Sequence, residues 1–139
     1  MNLTKYKKLT LFLILLIPIG LGTKFYCGRF AFGVNTSLSD VIYEIFWAVL
    51  IYLVFPRISI KQNIAGVFVA TSILEVLQLV KTPLLTTIRS NFWGKILLGT
   101  TFVWSDFFYY AMGCMIGYII LVIHRKSIVK QEASPKKII

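Results

Sequence analysis

Four apolar blocks punctuate the chain, at residues 9–27, 38–55, 63–80 and 102–123, each bounded by charges, proline or glycine. Each is close to the 20 or so residues that a helix rising 1.5 Å per residue needs to cross a hydrocarbon core. The first is interrupted by Pro18 and by glycines, which membrane helices tolerate, and Lys24 near its end can snorkel to the interface. Pro56 stops the second block, Lys81-Thr82-Pro83 stops the third, and the fourth ends at His124-Arg125-Lys126. Residues 81–101 are too many for a tight turn, and their apolar second half, 92–99, is too short to span. That pattern predicts an interfacial or re-entrant segment between the third and fourth helices. The expected fold is an all-α membrane protein, a four-helix transmembrane bundle forming one domain over residues 1–126. Residues 127–139 read as a basic tail, expected to be disordered.

Composition strengthens this reading. The 139 residues are 58% apolar and 14% charged, against roughly 45–50% and about 25% in soluble domains, and the mean hydropathy is +0.80. A water-soluble domain of this size leaves too much surface exposed to carry such a sequence. The net charge of +10 does not point to nucleic acid, because the basic residues flank apolar blocks and form no face with stacking aromatics. Their distribution predicts orientation instead. Lys5, Lys7, Lys8, Arg57, Lys61, Arg125, Lys126, Lys130, Lys136 and Lys137 fall on one side, and Lys24, Arg29, Lys81, Arg89 and Lys95 on the other. Ten against five places both termini in the cytoplasm. The lysines ahead of the first block imitate a signal peptide, but no small-x-small cleavage site follows, so the segment reads as a retained anchor. Cys27 and Cys114 fit no metal spacing or disulfide framework and read as small apolar residues.

Candidate chemistry lies in the acids. Of five, only Glu132 lies in the tail; Asp40, Glu44, Glu75 and Asp106 fall near the outer ends of three different helices. Asp40, Tyr43, Glu44 and Trp47 share one helical stripe at i, i+3, i+4, i+7. Thr71, Glu75, Gln78 and Thr82 make the continuous polar stripe of the third helix. Asp106, Tyr110, Gly113 and Gly117 align on the fourth, and Gly113-x-x-x-Gly117 is a small-x-x-x-small pattern for close helix packing. A carboxylate facing lipid costs about 2.5–3.5 kcal/mol, so Glu44 and Glu75 are expected to point inward. The expectation is one polar pocket open to the outside, lined by Asp40, Tyr43, Glu44, Glu75, Gln78, Arg89, Asp106 and Tyr110. Lys24, Arg29, Lys81 and Lys95 lie on the same side and could pair with its acids. The plainer alternatives are also open. Asp40 and Asp106 can be helix N-caps, Glu44 and Glu75 interhelical glue, Arg89 an interface anchor, and His124 a headgroup neighbour.

The ordered set of motifs resembles a known family. Ser39-Asp40-x-x-Tyr43, Glu75-x-x-Gln78, Arg89 and Gly99-x-x-Phe102-x-x-x-Asp106-x-x-x-Tyr110-x-x-Gly113 resemble the small bacterial membrane family called domain of unknown function 2809, from about residue 6 to residue 123. The same skeleton is similar to VanZ-like proteins, whose founding example is associated with teicoplanin resistance. There the pattern is Glu-x-x-Gln, an Arg, then Asp-x-x-x-Asn-x-x-Gly; here Tyr110 stands in place of the Asn, and the stretch from Arg89 to Asp106 is longer. The resemblance implies a membrane family without an established activity.

Four functions follow as expectations. The first is a multi-pass protein of the bacterial cytoplasmic membrane whose pocket binds a polar or anionic envelope component, such as a lipid headgroup or cell-wall precursor. The second is a structural or assembly partner. An enzyme using paired carboxylates or a hard cation, and an ion-coupled transporter, are the others. No nucleophile–base pair, acid repeat or His/Cys cluster accompanies the acids, so no cofactor or metal is expected. The lipid bilayer is the expected partner, and a homodimer through the Gly113/Gly117 face is a further one.

Overall fold

The computed structural model describes residues 3–133, with the side chains of residues 3–5 and 131 left aside. Six helices follow in order: α1 Leu3–Lys24, α2 Ala31–Val54, α3 Ile60–Leu77, α4 Pro83–Ser90, α5 Phe92–Leu98 and α6 Asp106–Ala133. No strand occurs among the described residues. Four of the helices, α1, α2, α3 and α6, are long and apolar enough to cross a membrane. α2 packs most closely on α6, α3 leans on both, and α1 packs mainly on α2. Leu9 and Leu16 from α1, Ile45, Val49 and Tyr52 from α2, Ile60 from α3 and Leu121 from α6 form the apolar core.

The bundle is apolar on the outside. Leu11, Ile14, Val69, Ile73, Met115 and Ile123 are all more than half exposed, whereas Thr71, Glu75 and Gln78 are buried. In water such a belt would drive aggregation; against lipid tails it costs nothing, and buried polar groups supply the contacts between helices. This is a membrane protein by composition, helix length and surface.

Local chemistry sets the helix ends. Ser59 and Gln62 form a reciprocal capping box that starts α3 three residues ahead of its apolar block. The helix ends at Leu77, not Val80, and Thr82 lies beyond its polar stripe, capping α4 by accepting from the Leu85 amide at 3.3 Å. Asp40 is not an N-cap: the helix already runs from Ala31, through a π-helical segment Val34–Leu38, into Ser39–Val54. The tail reading also changes, because α6 continues as helix to Ala133. Ile128 is buried, the Ser127 hydroxyl donates to the Ile123 carbonyl, and Lys130 in the last turn complements the helix dipole. The remainder of that expected disorder, residues 134–139, lies outside the described residues.

Residues 81–101 fold as a hairpin of two short helices, α4 and α5, neither able to cross a membrane. Gly94 is buried at its corner, where any side chain would run into the Ile88 carbonyl. α5 ends at Gly99, whose φ of +66° favours glycine; a Cβ there would press on the Gln78 side chain at 2.5 Å.

Candidate functional site

Glu75 is 1% exposed and accepts hydrogen bonds at both carboxyl oxygens. Its Oε2 accepts from Gln78 Nε2 at 2.7 Å and from the Tyr110 hydroxyl at 2.8 Å. Its Oε1 accepts from the Val103 amide at 2.9 Å. One carboxyl group thus ties α3 to α6 and to the strap leading into α6. The Glu-x-x-Gln spacing makes this possible, since i and i+3 lie on one helix face.

Beside this knot lies a cavity of about 660 Å³. Asp40 and Tyr43 of α2, Glu75 and Gln78 at the end of α3, and Asp106 and Tyr110 of α6 line its polar wall. Asp40 sits within electrostatic range of Asp106, Lys24 and Glu75. Lys24 and Lys95 bring positive charge to the rim. An apolar wall is built from Leu16, Ile17 and Leu21 of α1, Phe46 and Trp47 of α2 and Trp93 of α5, and Asn35, Ser39, Thr71 and Thr100 add further polar groups to the lining. The hairpin closes one side, latched by the Tyr43 hydroxyl donating to the Leu97 carbonyl at 3.0 Å and by stacking of Phe92 on Phe25.

Six of the eight residues expected to share a pocket therefore do so: Asp40, Tyr43, Glu75, Gln78, Asp106 and Tyr110. Glu44 and Arg89 do not line it. Glu44 is fully buried one turn deeper, where its Oε2 accepts from the Cys114 thiol at 3.1 Å, while Oε1 has no hydrogen-bond partner. The stripe that suggested otherwise is wide enough for Asp40 and Tyr43 to face the cavity while Glu44 faces α6. Arg89 donates to backbone carbonyls rather than to an acid. Its guanidinium donates to the carbonyls of Leu77 at 2.9 Å and Val80 at 3.2 Å, satisfying the exposed end of α3. Cys114, read from sequence as a small apolar residue, is also a hydrogen-bond donor; a thiol facing a carboxylate 70 residues away in the chain leaves no spacing signal.

Gly113 and Gly117 pack as the small-residue pattern predicts, but within the chain. A Cβ on Gly113 would meet Glu44 Cβ at 2.5 Å and the Val41 carbonyl at 2.8 Å, and one on Gly117 would meet Ala48 at 3.2 Å. This face is filled by α2, so it is not the surface on which a second copy would dock. Among the described residues, no group of three or more His, Cys, Asp or Glu side chains is gathered closely enough to hold a metal ion.

A family model described as "Protein of unknown function (DUF2809)" matches residues 31–114. That span runs from the start of α2 to Cys114 and contains every residue of the polar wall. No curated protein and no solved structure matches the chain.

Proposed function

The chain belongs to that family, and on this premise we propose that its cavity binds the polar head of a membrane amphiphile, a lipid headgroup or a lipid-linked cell-wall precursor. The observation that carries the reading is the two-sided lining: acids and lysines at one end, an apolar wall of α1 and α2 leading away from them. Two carboxyl groups, of Asp40 and Asp106, offer acceptors to hydroxyl or amino groups, and Lys24 and Lys95 offer charge to a phosphate. A phosphate-linked head that also carries hydroxyl or amino donors matches both. The apolar wall suits the chain of such a molecule. The excess of basic residues at the other end of the bundle supports an outward-facing cavity in a bacterial cytoplasmic membrane.

The test is thermal stabilisation of the purified full chain in detergent by a polyprenyl-phosphate-linked amino sugar and, separately, by phosphatidylethanolamine. One of the two should raise the melting temperature, and Asp40→Asn with Asp106→Asn should abolish the rise while leaving the unliganded protein folded. A rise that survives the double substitution, or none with either probe, would sink the reading.

A second reading has its own support. Both oxygens of Glu75 are already occupied by protein donors, which favours a structural role for that residue. The two readings divide the acids: Glu75 holds the wall together, and Asp40 and Asp106 meet the ligand.

A further inference from the structure

We propose that the opposite end of the bundle carries a second binding site, for the phosphate of an anionic phospholipid in the leaflet at that end. Lys61 in the first turn of α3 and Arg125, Lys126 and Lys130 in the last turns of α6 border one groove of about 560 Å³. All four side chains are exposed, and among the described residues no carboxylate lines the groove. Val122 and Val129 supply its apolar wall.

Depth decides what such a groove meets. Arg125 follows Asp106 by nineteen residues on one helix, about 28 Å along its axis, close to the thickness of a hydrocarbon core of about 30 Å. With Asp106 at one boundary, Arg125 falls at the headgroup level of the other, where phospholipid phosphates lie. The N-terminal turn of α3 adds the positive end of an 18-residue helix to the same groove. Basic pockets between membrane helices at headgroup depth are suited to acidic lipid heads. The valine wall favours a lipid over a free phosphate, because it continues into the lipid-facing side of α6, where Ile123 and Val129 are exposed. This site shares no residue with the carboxylate cavity, so either can fail without the other.

Native mass spectrometry of the full chain, released from mixed micelles of phosphatidylglycerol and phosphatidylcholine, tests the proposal. Phosphatidylglycerol should be retained in preference. Lys61→Gln with Arg125→Gln and Lys126→Gln should cut that retention by about tenfold or more, as loss of several near-surface charges implies. Lys81→Gln, an exposed cation at the far end, should change nothing, and the Asp40→Asn/Asp106→Asn protein should retain phosphatidylglycerol as before. The three substituted side chains are exposed, and an unchanged melting curve confirms that the variant folds; Arg125→Ala alone, lowering retention in part, serves if it does not. Equal retention of the two lipids, full retention by the variants, or displacement of the lipid by inorganic phosphate would each overturn the proposal.

Discussion

Glu75 accepts three hydrogen bonds with two oxygens, from donors on its own helix, on α6 and on the strap between. Replacing it with Gln turns one acceptor into a donor that faces donors, leaving at least one buried group unsatisfied. The expected cost is about 1–3 kcal/mol, read as a lower melting temperature in detergent. Tyr110→Phe removes one donor and leaves Gln78 and the Val103 amide in place, so its cost should be the smaller of the two. If Glu75→Gln melts like the wild type, the knot is not what holds α3 to α6. Glu44 presents the opposite case. It has one thiol donor and one empty oxygen. Cys114→Ser supplies a stronger donor at the same place and should keep the protein folded, whereas Cys114→Val strips the thiol donor from a buried carboxyl and should destabilise it by about 1–3 kcal/mol.

Between the membrane-length helices, α2 and α6 approach closely at Gly113, where the Val41 carbonyl and Glu44 leave no room for a methyl group. Gly113→Ala should therefore cost about 1–3 kcal/mol through overpacking, more than Gly117→Ala, whose Cβ would approach no atom more closely than Ala48 Cβ at 3.2 Å. Equal melting temperatures for the two variants would count against this account. This contact was legible in the sequence, as were the spans and the inward stripe Thr71, Glu75, Gln78, because a polar run at helical spacing on an apolar helix has nowhere to go but inward. The hairpin was legible only as a segment too short to span. Its latch depends on backbone carbonyls of Leu77, Val80 and Leu97, and a carbonyl carries no residue identity to read. The same reason hid the role of Arg89. Glu44 was misplaced because adjacent positions on one stripe can look toward different neighbours, a choice made by tertiary packing. Since Tyr43 and Arg89 hold the hairpin, Tyr43→Phe with Arg89→Ala should speed proteolysis within residues 81–101 before the bundle itself unfolds.

At the scale of the whole molecule, four apolar helices place charge at both ends and little between. The positive-inside count predicts that the α1–α2 connection lies outside, where Cys27 is exposed and Cys114 is buried. A membrane-impermeant thiol reagent should label intact cells at Cys27, and Cys27→Ser should abolish the label; labelling only after lysis would invert the orientation. α2 itself reaches the cavity through the π-helical segment Val34–Leu38, which supplies Asn35 and Thr36 to the cavity lining just ahead of Asp40. Such a segment holds one residue more than a regular helix of the same height. Taking that residue out would close the wide turn into a regular α-turn of nearly the same rotation, so the helix on either side would stay in phase. Phe30 and Phe32 would keep their outward positions, and Asp40 and Tyr43 theirs. A single-codon deletion within Val34–Leu38 would thus trim one side chain from the cavity rim without re-aiming the rest of the helix.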